Sequence, residues 1–193
     1  AHGAWPDLTV FRCHFQLDDT ESINWPQLTE LELTASHVSA TGFEGLLARH
    51  PLLQCAKLRA TSTKDTKKCK AKRGNLSLAL EHLTSLDLNC ADDRTFSRFS
   101  FPRLRTLDLA GIKIKIKKFG AALSRFPALQ SLSICKHATV HFAGYDKATQ
   151  CKALTKLCLT NASITADDVS AAFSAFPSLR TVQIYGADVG LHP

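Results

Sequence analysis

Asp87 and Asp108 each stand between two leucines, in Leu86-Asp87-Leu88 and Leu107-Asp108-Leu109, at equivalent points of a recurring pattern. Such a pair of carboxylates can do general acid–base work where a cleft takes them out of water and drives their pKa values apart. On a sheet open to water that desolvation is missing, so the pair predicts recognition of charge and not catalysis. The nearest approach to a metal-ligand set is Cys135, His137 and His141 with Cys158 on the next unit, and its spacing matches no zinc site. The seven cysteines are an odd number scattered along the chain without a Cys-x-x-Cys pair, which predicts free thiols and an intracellular, reducing setting, in the cytoplasm or an organelle. Chance accounts for the two sequons, at Asn75 and Asn161, in a chain this rich in Ser and Thr. The glycines stand alone and form no phosphate-cradling loop. The expectation is a non-enzyme with no metal, no cofactor and no small-molecule substrate.

Charge is unevenly spread. Between Lys57 and Arg73 eight cations face the single acid Asp65, an excess equal to the whole formal net charge of +7. Six of them, Lys64, Lys67, Lys68, Lys70, Lys72 and Arg73, fall in a lysine-rich insertion over 60–75 that could contact phosphate or an acidic partner by sequence-independent electrostatics. No aromatic is interleaved from Lys57 to Leu76, so stacking on bases is unsupported. A solvated loop is the plain alternative, and an RNA or ribonucleoprotein contact is the second functional reading. Lys113, Lys115, Lys117 and Lys118 alternate with isoleucines, which reads as a strand edge or the approach to a helix. No apolar run comes near the roughly 20 residues that a membrane-spanning helix needs.

The elements that must hold these groups come from a repeat. Trp25-Pro26-Gln27-Leu28 leads into Leu31 and Leu33, Phe101-Pro102-Arg103-Leu104 into Leu107 and Leu109, Phe126-Pro127-Ala128-Leu129 into Leu132 and Ile134, and Phe176-Pro177-Ser178-Leu179 into Val182 and Ile184. Weaker copies begin at Trp5 and His50, and two without the proline at Leu83 and Leu154. The first leucines lie at 8, 28, 53, 83, 104, 129, 154 and 179, a spacing close to 25 with a long third unit and a short fourth. Between them Val38, Ile114 and Ile164 share a register, followed by Phe43, Phe119 and Val169 and by Leu47, Leu123 and Phe173, which traces one face of a short return helix. The fourth return segment, around Phe96 and Phe99, has room for a turn or two.

This pattern resembles the leucine-rich repeat family, and most closely the cysteine-containing class of about 25 residues known from F-box substrate receptors. At the family's Asn/Cys ladder position the chain carries Ser36, Ile112, His137, Ala162 and Ala187. The resemblance implies an α/β solenoid of about eight repeats, with a curved parallel sheet on the concave side and short helices on the convex side. Residues 1–193 then form a single array, and the absence of Met together with ends lacking polar capping units predicts a piece of a longer chain. It also implies a protein-interaction scaffold inside a larger complex, with substrate recruitment to a ubiquitin ligase as one form of that role.

In a strand whose leucines point into a core, alternate residues line the opposite face. The predicted partner-binding residues are Arg12, Glu30, Glu32, Lys57, Arg59, Asp87, Asn89, Asp108, Ser131, Ser133, Lys156, Gln183 and Tyr185. Eight parallel strands about 4.8 Å apart would span on the order of 35 Å, the size of a protein segment. The sign of charge alternates strand by strand at one end of this face and gives way to small polar residues at the other. Two readings fit: a solvated face with balanced charge, and a binding surface.

Overall fold

Alternation of leucine with polar residues at period two dictates strands, and the recurring Pro dictates where each begins. In the computed structural model residues 7–13, 25–35, 40–60, 78–89, 99–110, 115–116, 123, 125–135, 139–140, 151–161, 163–186 and 188–190 are described. Eight strands form one parallel sheet: β1 (Val10–Cys13), β2 (Glu30–Ala35), β3 (Cys55–Ala60), β5 (Ser85–Leu88), β7 (Thr106–Ala110), β9 (Ser131–Cys135), β11 (Lys156–Thr160) and β13 (Thr181–Tyr185). Spatial order follows chain order throughout, so each unit pairs only with its neighbours, as in a solenoid.

The register carries the repeat into space. Leu31, Ala56, Leu86, Leu107, Leu132, Leu157 and Val182 are successive partners, and so are Leu33, Leu58, Leu88, Leu109, Ile134, Leu159 and Ile184. From Leu31 to Leu159 all of them are buried, and each buried leucine contributes about 1.5–3 kcal/mol by leaving water.

The turn before each strand is equally regular. The N–H of the first leucine donates to the carbonyl three residues back: Leu28 to Trp25 at 3.0 Å, Leu104 to Phe101 at 3.3 Å, Leu129 to Phe126 at 3.1 Å and Leu179 to Phe176 at 3.0 Å. Proline stands second in each of these turns, where its fixed φ favours the bend. Leu83 and Leu154 make the same bond, to Leu80 and Cys151, without proline. The two residues after the leucine then donate together to one carbonyl of the preceding unit, as Gln130 and Ser131 do to Arg105 at 2.9 Å each.

Residues just before these turns form a buried column. Phe101 and Phe126 lie 5.2 Å apart between ring centroids, and Phe176 is also buried. His50 takes the aromatic place in its own unit with no exposure at all. Its Nδ1–H donates to the Leu46 carbonyl at 2.7 Å, and its Nε2 accepts from the Trp25 N–H at 3.2 Å. Those two bonds require the neutral ring, and desolvation pushes its pKa below the ordinary 6.5, with Arg49 adding to the effect against the Leu46 bond. Cys151 fills the same place further along and donates its thiol to the Leu123 carbonyl at 3.2 Å.

On the return side a short helix was expected in each unit, and most of these segments, at 61–77, 90–98, 117–122 and 141–150, lie outside the described residues. Two helices are present among the described residues, α1 (Ala40–Arg49) and α2 (Ala166–Ala175). Short strands appear as well: β8 (Lys115–Ile116), β10 (Thr139–Val140), β12 (Ser163–Thr165) and β14 (Asp188–Gly190) form a second parallel sheet, and β4 (Leu78–Ala79) pairs with β6 (Phe99–Ser100). Ile164, expected to open a helix face, lies in β12, and Phe99 lies in β6 where a helical turn was expected. The lysine–isoleucine run resolves to a strand at Lys115–Ile116. These pieces are too short for a period to show in sequence, and only pairing with a neighbour makes them strands. Leu47 and Leu123 are buried as the helix-face pattern requires, whereas Phe173 is 56% exposed. No helix among the described residues is long and apolar enough to cross a membrane.

Candidate protein-binding face

The side of the sheet opposite the leucines presents three rows, because parallel strands in register align equivalent residues. The first runs Val10, Glu30, Cys55, Ser85, Thr106, Ser131, Lys156, Thr181. The middle row runs Arg12, Glu32, Lys57, Asp87, Asp108, Ser133, Cys158, Gln183. In the third, Thr34 pairs with Arg59, and Ala110, Cys135, Thr160 and Tyr185 follow one another across the later strands. All the expected face residues from Arg12 to Tyr185 thus come together on one side, with Asn89 just beyond the end of β5 and half-buried.

From β1 to β5 this face neutralises itself. Arg12 reaches Glu30 at 3.4 Å and Glu32 at 3.9 Å, Lys57 reaches Glu32 at 2.6 Å, and Arg59 reaches Asp87 at 2.8 Å. The Arg12 pairs are well exposed and contribute little to stability; the Arg59 pair is held more firmly, because Asp87 is mostly buried. Lys57 and Arg59, the first two cations of the basic stretch from Lys57 to Arg73, therefore spend their charge on the sheet. Lys64, Lys67, Lys68, Lys70, Lys72 and Arg73 lie outside the described residues, as do His137 and His141.

From β7 onward the face changes character. Asp108 stands beside Asp87 in register, accepts a hydrogen bond from Ser133, and makes no ion pair with any described cation. One carboxylate oxygen of each aspartate, Oδ1, is buried without a hydrogen-bond partner. Burial first and the Asp87 charge second push the Asp108 pKa above the usual carboxylate range, against Ser133 and the more distant Arg59. Beyond lie Ser131, Ser133, Cys135, Cys158, Thr160 and Gln183, all half-exposed, and then Tyr185 at 56% exposure. Cys135 and Cys158 are free thiols, hydrogen-bonded to Ser133 at 3.4 Å and Thr160 at 3.7 Å. Among the described residues no three His, Cys, Asp or Glu side chains come together as metal ligands.

Sequence reasoning did not single out the orphaned carboxylate oxygens or the bridging role of His50. The first depends on side-chain rotamers. The second had a signal, because His50 occupies an aromatic position before Pro51. The sequence matches no protein-family model and no curated protein.

Proposed function

We propose that this chain is a non-catalytic, leucine-rich-repeat type scaffold whose open sheet face holds a protein partner. The observation that supports the reading is the register: it aligns residues from eight strands into continuous polar rows, while the opposite side is filled by leucine. A face built this way is long, shallow and wet, which suits an extended segment or a protein surface better than a small molecule. Recruitment of a substrate to a ubiquitin ligase is one form of this role. The test is a photo-crosslinking amino acid placed at Ser131 or Gln183 on the face, and at Ser174 on α2 as the control. Protein adducts at the face positions and none at Ser174 support the reading; adducts at Ser174 alone overturn it.

The second reading, an RNA contact through the basic insertion, draws on the charge excess between Lys57 and Arg73. Engagement of Lys57 and Arg59 with Glu32 and Asp87 weighs against it, since two of the eight cations are already neutralised. Binding to RNA that weakens as log salt rises, with a slope near −3 to −4.5 for about four to five phosphates, would carry it. Salt-independent binding, or adducts that survive nuclease, would end it.

A further inference from the structure

We propose that the stretch of open face between β5 and β9 seats one arginine side chain of an extended partner segment, with its guanidinium over Asp87 and Asp108 and beside Ser133. This rests on the reading of the open face as a docking surface and names the chemistry of the occupant.

The first argument is charge complementarity. Along the middle row the carboxylates Glu32 and Asp87 each have a cation within ion-pair distance, supplied by Arg12 and Lys57 or by Arg59. At β7 a second carboxylate, Asp108, is set directly beside Asp87, and the row continues with Ser133, Cys158 and Gln183, none of which is a cation. Lys156 belongs to the first row, beside Ser131, and is exposed. The Arg59 guanidinium pairs with Asp87 and not with Asp108, so among the described residues the local charge is left unbalanced by one.

The second argument is independent of charge count. Both Oδ1 atoms are buried and bonded to nothing, although a buried charged oxygen without a donor costs more than a neutral one. A carboxylate turns easily about its last torsion. A donor-rich cation arriving above the pair can thus draw those oxygens into hydrogen bonds that the free protein does not make. Small neighbours, Thr106, Ser131 and Ser133, leave room for a long side chain to lie flat across the strands.

The shape of the site selects the cation. Two carboxylates on strands about 4.8 Å apart suit a planar group with five N–H donors, which can serve both at once, better than a compact ammonium. A hard divalent ion takes six or more oxygens, and the described residues bring no third carboxylate to the pair.

A library of random 12-residue peptides displayed and selected on the whole chain tests this. The expected result is enrichment of peptides with an arginine whose change to citrulline weakens binding at least tenfold. Asp108→Asn should produce the same loss while leaving the melting temperature unchanged or higher, and Asp108→Arg should regain binding of the peptide with Asp in place of its arginine. Enriched peptides that are lost with Tyr185→Ala or Gln183→Ala but retained by Asp108→Asn would overturn the arginine seat and keep the docking face. Peptides indifferent to all of these substitutions would remove the face as well. A rise in melting temperature with calcium that Asp108→Asn abolishes would make the pair a metal site and overturn the proposal.

Discussion

The molecule changes on crossing from β5 to β7, on both sides of the sheet at once. Up to β5 the open face is rich in ions that pair among themselves, while the core beneath is uneven: Ala56 stands where its partners are Leu31 and Leu86, and His50 fills an aromatic place. From β7 onward the strand leucines Leu107, Leu132 and Leu157 stack without a small residue among them, although Cys151 interrupts the phenylalanines, while the open face carries Asp108 without a cation among the described residues. Strand pairing narrows at the boundary, with six register pairs joining β2 to β3, four joining β3 to β5 and β5 to β7, and five joining β7 to β9, β9 to β11 and β11 to β13. The contrast teaches that core and face are separable in such a sheet, because alternate residues of one strand answer to different neighbours. A regular core can carry an electrostatically unsatisfied face, and its stability is what makes that tolerable.

The largest effect that would sharpen this contrast lies in the regular half. Leu132→Ala should destabilise by about 2–5 kcal/mol, since a fully buried leucine between Leu107 and Leu157 leaves a cavity. Denaturant unfolding measures it, and a cost below about 1 kcal/mol would show that the regular stack is not the stable half. Native-state hydrogen exchange should be slower in β9 and β11 than in β3 and β5, and the reverse order would break the comparison.

Next in size is Gly186→Ala. Gly186 adopts φ 56°, and a side chain there would run into the Asn161 side chain of the preceding unit. A loss of about 1–2 kcal/mol is expected from the left-handed backbone alone, with the clash adding to it. An unchanged melting temperature would refute the close approach of these two units.

His50 supplies the pH dependence of the irregular half. Its folded pKa lies below 6.5, so its contribution is present above pH 6.5 and is lost as pH falls from there through the folded value. Protonated, the ring would turn a second donor toward the Trp25 N–H. His50→Phe should remove that part of the acid sensitivity, and exchange of the Trp25 amide should rise on acidification in the native protein alone. An identical pH profile in the variant would dissolve the assignment.

The smallest effect has the opposite sign. The Asp108 pKa is raised, so its ionised form costs stability as pH rises through the folded value, and Asp108→Asn should raise the melting temperature at neutral pH but not below the usual carboxylate range. A lower melting temperature at pH 7 would show that the carboxylate is satisfied by groups outside the described residues. Arg12→Ala, by comparison, should cost under about 1 kcal/mol, as an exposed pair does.

Much of this was legible before the structure. Leucines at period two and a first leucine recurring near every 25 residues specify eight buried-faced strands, and the row of residues between those leucines follows from the pleat. The helix reading held at Leu47 and failed at Ile164, because two or three residues carry no period and take their structure from the unit beside them. The sign pattern from Arg12 to Asp87 was visible as alternation. That those charges pair, and that Asp108 does not, was not visible.

The sequence by itself determined which side chains face inward and which outward, since that depends on local alternation and on prolines that fix where each strand starts. Tertiary structure alone decided what lies beside what. Register set Asp87 against Asp108 and Lys57 between Glu32 and Asp87, and packing placed the His50 ring between Leu46 and Trp25. Apart from the local His50–Leu46 bond, those contacts join residues about 20 to 30 positions apart, a distance at which the stacking of whole units, and no local preference, selects the partner.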